Sequence, residues 1–501
     1  MTTGHQIRLA VSAALFLLLA VTGAVDAFFR DEFYYLACSH RLAWGYVDHP
    51  PLSVAILWLV RHAAGDSLMV LRLTAAAAAA ATIWITGSIA HRLGAEAYGE
   101  AIAMVAAMVA PELLALSSFF SMNVFDVLLW TLAARLLIDA VERPSDRRWI
   151  VLGVVLGFGL LNKISMAWIA GGFAVGLVVS PARRLLLTRG PWLAGLIAGA
   201  IFLPHIWWQI THGWPTLEFI RNASRDKMQL NTPIGFVTNQ ILNMQPVTLP
   251  VWGAGLWFLL RGRRGAADRV LGVAFLSVAF LLILNRTSRS GYLAAGYPML
   301  LAAGGVVWER RLRGPTVRAA ALAVLLLLGA LTAPLALPML PVDTHVRYSA
   351  ALGVGPETEE KKDVGRLSQF FADRQGWDRF VDRVAQAWER IPPAERASAV
   401  VFAGNYGEAG AIEHLGRARG LRVVSAHNNY WQWGPQGATG EVMIVLSRRP
   451  EALRERFATV EQVGETDCGD CMPYENHIPI FLCRGIRRSL PEVWPALKHY
   501  D

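Results

Sequence analysis

Apolar runs near or above the length needed to cross a hydrocarbon core about 30 Å thick recur along this chain from Leu9 to about Leu340. Such runs leave little choice of fold. Backbone groups in lipid must be paired within their own segment, so repeated spans are read as a bundle of transmembrane α-helices. The 54% hydrophobic content over 501 residues is too high for a soluble protein of this size and agrees with that reading. From about residue 343 the composition turns ordinary, with charged and polar residues throughout. The expectation is a polytopic α-helical membrane protein, with a membrane domain over 1–342 and a soluble α/β domain over 343–501. The first run, Leu9 to about Val25, is followed by the small residues of a signal-like site, but the many later spans make it a retained first helix.

A formal charge of +9 does not point to nucleic acid, because the arginines lie in short loops between spans, where they report orientation. With the N-terminus in the cytoplasm, successive inside loops hold Arg92; Arg143, Arg147 and Arg148; Arg183, Arg184 and Arg189; Arg261, Arg263, Arg264 and Arg269; and Arg310, Arg311, Arg313 and Arg318. For these loops to share one side, the apolar stretch from Trp149 to Ser180 must cross twice, turning at Asn162-Lys163. The spacing then predicts about eleven crossings and an extracytoplasmic soluble domain. Asp31 to Leu52, Ser117 to Asp126, Asn162-Lys163, Thr211 to Gln245 and Asn285 to Tyr297 all fall on the outer face.

The chemistry-bearing residues gather in those outer segments. Asp31 and Glu32 follow the first span directly, and the stretch from Phe33 to Val47 is rich in Tyr and Trp, which favour the headgroup zone. The pair reads either as the rim of an active site or as the N-terminal cap of an interfacial helix. Lys163 is costly inside a membrane unless compensated, either by a bound phosphate or by snorkelling to the headgroups. Arg221, Arg225, Lys227, Arg286 and Arg289 are further cations on this face, fit for phosphate, lipid headgroups or an acceptor. His49, His205 and His212 lack the paired spacing of a metal site, so no metal is assigned, although a divalent ion stays open as a cofactor.

Taken together, the motifs resemble the polyprenyl-phosphate-dependent GT-C glycosyltransferases of family 39, the family of protein O-mannosyltransferases and the lipid A aminoarabinose transferase. The resemblance rests on Asp31-Glu32-Phe33-Tyr34-Tyr35, Leu42 to Leu52 with Asp48-His49-Pro50-Pro51, Leu161-Asn162-Lys163, Pro204 to Gln209 running into His212 to Phe219, and Tyr297-Pro298. It implies a GT-C fold and transfer of a sugar, with inversion, from a polyprenyl-phosphate donor to a hydroxyl of a glycan, lipid or protein acceptor. The implied place is the outer face of a bacterial inner membrane. It also implies that Asp31 is the base that takes the acceptor's proton, while Glu32 orients the loop, a basic side chain or a metal. Relatives often carry an acid where this chain has Asn123, with Asp126 one helical turn further on, so either can contact the sugar but Asn123 cannot act as a base. Asp48, His49, Lys163, Gln209, His212, Arg221 and Arg289 complete the expected substrate contacts. The competing classes are a lipid-linked glycan transporter or flippase and a glycan-binding membrane scaffold. A transporter would place its ionisable groups near mid-membrane, whereas these acids collect at one face.

In the soluble domain, Ser398 to Ala403, Leu421 to Ser425, Glu441 to Leu446 and Ile478 to Cys483 read as strands and Glu408 to Leu415 as a helix. Gly404 to Gly410 lacks the nucleotide-loop fingerprint and reads as a strand-to-helix turn. Asn428 to Trp433 suits either stacking on sugars or plugging the domain against the membrane. Of the four cysteines, Cys38 stands apart, and Cys483 is expected to bond Cys471 or Cys468. Zinc held by those three thiolates and His477 is the alternative.

Overall fold

The computed structural model describes residues 2–262 and 265–501, so Arg263 and Arg264 of the orientation argument lie outside the described residues. The chain divides into two compact units. One comprises Met1–Val25, His49–Ile210 and Leu230–Leu340. The other comprises Asp26–Asp48, Thr211–Gln229 and Pro341–Asp501, so two loops of the N-terminal half join the C-terminal region in one body.

The first unit is helical. Among the described residues, six helices are long and apolar enough to cross a membrane, and up to eight if each of two bent pairs counts as one span. The bends, 67° between Ala97–Met108 and Pro111–Ser117 and 104° between Met166–Val179 and Pro181–Leu187, each fall at a proline that cannot continue the preceding helix. The chain is thus a multi-pass membrane protein. Helices Leu249–Arg261 and Tyr297–Arg311 approach closely because glycines face each other's backbones. A Cβ at Gly255 would overlap the Leu300 carbonyl, and one at Gly304 the Val251 carbonyl.

The stretch expected to cross twice does break where its polar pair lies. Helix Asp146–Asn162 ends at Lys163 and the next runs Met166–Val179. Asn162 Nδ2 donates to the Met122 carbonyl at 2.8 Å, which ties this break to the start of helix Met122–Glu142. At the other end of that helix, Arg92, Arg135, Arg143, Arg148, His91 and Asp139 line a cavity of about 360 Å³. A helix of 21 residues is about 30 Å long, so the arginine end and the lysine end stand a bilayer core apart.

The second unit is built on a five-stranded sheet. Its strands are β1 (Ala399–Ala403), β2 (Val423–Ser425), β3 (Val442–Leu446), β4 (Phe457–Glu465) and β5 (Pro479–Ile486), in the order β2-β1-β3-β5-β4. β1 pairs in parallel with β2 and β3, while β5 runs antiparallel to β3 and β4. Four strands fall where alternation and apolar runs place them. β4 was not expected, because as an edge strand its residues are mostly exposed and its sequence is polar. Helix Trp377–Glu389 buries Trp377, Phe380, Val381, Val384 and Trp388, which recur at helical spacing on one face.

The cysteine expectation is corrected. Cys468 and Cys471 form the disulfide, with Cα atoms 5.6 Å apart, and Cys483 remains a thiol. Cys483 lies on β5 in the sheet core with Val400, Met443 and Phe481, where burial pushes its thiol up to about 12. With two of its three thiolates consumed, the zinc alternative falls as well.

Candidate functional site

The first constellation lies in the second unit. Residues Arg30–Ser39 form a short, largely buried helix that starts where the apolar run ends, and Asp31 and Glu32 occupy its first turn. The two acids point to different tasks. Glu32, fully buried, turns back so that its Oε2 accepts from the Phe29 amide at 2.9 Å, capping the start of the helix. This bond ties Glu32 to the first turn of its own helix. Asp31 stays half-buried, and its Oδ1 accepts from the Tyr406 hydroxyl at 2.8 Å. Seventeen residues downstream of Asp31, Asp48 Oδ1 accepts from Tyr34 at 3.0 Å, and Asn429 Oδ1 accepts from the Val47 amide at 2.6 Å. Asn429 also donates its amide to Tyr34 at 3.3 Å. Asn428, Asn429 and Tyr430 are buried, and Asn429 ties down the loop that carries Asp31 and Asp48.

Beneath the loop, Arg30 is held by Tyr474 at 2.7 Å and Glu475 at 3.5 Å, with its guanidinium 4.7 Å from the Tyr406 ring. Three buried carboxyls surround this one cation. Burial pushes Asp373 and Glu408 up to about 7 and Glu475 to about 8, so near neutral pH the three carry less negative charge than exposed carboxylates would.

The second constellation lies in the first unit, where three expected residues come together. Lys163 Nζ donates to Asn123 Oδ1 at 2.7 Å and stands 3.7 Å from Asp126 Oδ2 and 5.1 Å over the Tyr292 ring. Ser165 donates to Asp126 at 2.8 Å. A lysine with an amide, a carboxylate and an aromatic face beside it is compensated within the apolar surroundings. It is also fixed in place, as a cation that receives phosphate oxygens must be. Its neighbours Ser165 and Tyr292 carry no signal in the sequence beyond their nearness to Lys163 and Arg289.

The remaining candidates have surroundings of their own. Buried His49 sits 3.0 Å from the Pro50 carbonyl through Nδ1, and buried Gln209 lies 3.3 Å from His205 one turn before it. His212 is exposed beside Thr211, Arg221 is exposed at the end of helix Pro215–Asn222, and Arg289 is half-buried ahead of the turn Ser290–Gly296. Arg225 pairs with Asp226 at the surface, and Lys227 stands 3.8 Å from Glu360.

Among the described residues, one group has the composition of a cation site: His427, His499 and Asp501, whose ligand atoms lie within 4.8 Å of one another. The hydrogen bonds argue against a metal there. His427 Nδ1 accepts the Tyr406 amide proton at 3.1 Å, which leaves the ring's own proton on Nε2, 2.8 Å from Asp501 Oδ1. A ligating histidine needs the reverse, a lone pair toward the metal and an N–H toward an acceptor. The trio is a hydrogen-bonded clamp in which Asp501 also accepts from His499 at 3.0 Å.

This clamp has a pH signature. Burial drives His427 down to about 4, against roughly 6.5 in an unfolded chain. Between those values the unfolded chain binds a proton that the folded chain refuses, so this residue's contribution falls as pH falls, by up to about 3 kcal/mol. Thermal melts of wild type and His427→Gln at pH 7 and 4.5 check it. The wild-type advantage is expected to shrink at the lower pH.

Comparisons with known proteins agree with these features. The family model described as dolichyl-phosphate-mannose-protein mannosyltransferase matches residues 48–208, a range that includes Lys163 but not Asp31. A lipid A galacturonosyltransferase, RgtD of Rhizobium johnstonii, is 27% identical over 278 residues, 53% of this chain and 56% of that protein's length. The crystal structure of ArnT from Cupriavidus metallidurans bound to undecaprenyl phosphate superposes with a TM-score of 0.64 at 13% identity, covering 94% of this chain and 97% of that one. The Archaeoglobus fulgidus oligosaccharyltransferase superposes at a TM-score of 0.50 and 12% identity, over 82% of this chain and 63% of that one. These likenesses establish a GT-C architecture of the ArnT-like type.

Proposed function

We propose that this chain, a multi-pass protein of GT-C architecture, is an inverting glycosyltransferase that moves a sugar from a polyprenyl-phosphate donor to an acceptor hydroxyl. The reaction is placed at the outer face of a bacterial inner membrane, with the N-terminus in the cytoplasm and the 341–501 region outside. The observation that carries the reading is the Lys163, Asn123 and Asp126 group, a fixed cation within the range matched by the mannosyltransferase family model. RgtD and ArnT, named as a transferase acting on lipid A and a protein that binds undecaprenyl phosphate, support the donor and the acceptor class.

In the proposed step the acceptor oxygen attacks the anomeric carbon while Asp31 takes its proton. The bond to the carrier phosphate breaks on the opposite face, and the leaving phosphate keeps the electron pair. Lys163 neutralises the charge that grows on it. Asn123, whose oxygen already accepts from Lys163, holds the ammonium in position. Asp48 borders the Asp31 loop as a candidate sugar contact.

The test is direct. Envelope glycolipids analysed by mass spectrometry with and without the gene are expected to differ by one sugar. Unchanged lipids, polysaccharides and glycoproteins would remove the proposal. Lys163→Met, reconstituted in nanodiscs with a polyprenyl-phosphate sugar, is expected to lower turnover about 10²-fold, the effect of deleting one donor to a developing oxyanion. Wild-type turnover would show that the ammonium does not face the leaving group.

A further inference from the structure

We propose that Tyr406, delivered by the C-terminal sheet region, is a positioning residue for Asp31, so that this region completes the base rather than merely covering it. The inference rests on the assignment of Asp31 as the base. The hydroxyl of Tyr406 stands 2.8 Å from Asp31 Oδ1, and the two residues are 375 positions apart in the chain.

The local structure fixes Tyr406 from every side. It is the first residue of helix Tyr406–Leu415, whose N-cap Asn405 accepts from the Gly407 and Glu408 amides at 2.8 and 3.0 Å. Its own amide is held by His427 Nδ1. Its ring packs on Tyr34 at 4.7 Å and takes the Arg30 guanidinium on a face. The helix can come this near because Gly410 meets the Asp31 helix at Phe33, where a Cβ would lie 2.8 Å from the Phe33 Cβ. A side chain at either Gly407 or Gly410 would push the two helices apart and draw the phenol away.

The chemistry of this contact has one direction. A phenol beside a carboxylate, buried and facing acids, keeps its proton, and the Tyr406 hydroxyl is pushed well above its ordinary range by burial and by Asp31. It therefore acts as a donor that stabilises ionised Asp31 and orients the carboxylate, leaving Oδ2 to take the proton of an incoming hydroxyl. Removing the donor makes Asp31 easier to protonate, which moves the acid limb of the rate profile upward.

The experiment compares wild type, Tyr406→Phe, Asp31→Asn and a 3-fluorotyrosine replacement at 406, all as full chains in nanodiscs, using kcat/KM against pH. For Tyr406→Phe, the midpoint of the acid limb is expected to rise by about one pH unit, with turnover well below that limb falling about tenfold and KM for the lipid-linked donor unchanged. The fluorinated phenol, a stronger donor, is expected to move the limb the other way. Loss of transfer in Asp31→Asn, with the limb unmoved in both Tyr406 variants, overturns this inference alone. Retained transfer in Asp31→Asn overturns the base assignment beneath it.

Discussion

Asp31→Asn is expected to lower the rate of sugar transfer by about 10²–10⁴-fold, the range that a positioned general base contributes. Asparagine keeps the size of the side chain and the oxygen that accepts from Tyr406, so the packing of helix Arg30–Ser39 survives. What is lost is the ability to take a proton. The loss should therefore appear in kcat, while thermal stability and donor binding stay near wild type. Transfer measured in nanodiscs at equal protein level checks this. Retained turnover would assign the proton transfer elsewhere, with Asp48 the next carboxylate on the same loop.

Arg374→Met is expected to destabilise the second unit by about 3–5 kcal/mol, the cost of breaking a buried ion pair from one side. The Arg374 side chain is 0% exposed and its Asp26 partner 3%, and the two are joined by a hydrogen-bonded ion pair. The guanidinium also lies 5.2 Å over Phe29 and 4.7 Å over Phe370, so the pair sits in aromatic surroundings. The double variant Asp26→Asn/Arg374→Met should recover much of the loss, because it leaves no uncompensated charge. Melting in detergent distinguishes the cases. Equal destabilisation by the single and double variants would mean that packing, not charge, dominates.

How far the sequence could be read depended on whether the signal was local. Apolar length announced the helical bundle, and the break at Asn162-Lys163 followed from the charge of the flanking loops. Asn123 and Asp126 lie one helical turn apart, so their shared helix face was legible, and Lys163 stood out through its cost in lipid, but its pairing with them across 40 residues was not. The disulfide was misread because core burial of Cys483 on a strand leaves the same trace in composition as a bridging cysteine. The missed edge strand β4 carries too few buried residues to show alternation. Tyr406 and Asn429 were noticed as parts of unusual runs, yet their partners Asp31, Tyr34 and Val47 lie hundreds of residues away, where no periodicity links them. The domain expectation placed Asp31 with the membrane spans. In the structure its loop and Thr211–Gln229 are grouped with the C-terminal region.

That grouping imposes a timetable on biogenesis. The residues that clasp the Asp26–Asp48 segment, Tyr406 and Asn429, are made hundreds of residues after it. At roughly 5–20 residues per second, the gap amounts to tens of seconds. For that interval the Asp26–Asp48 segment lacks the residues that clasp it, so its fold is completed late rather than as it emerges.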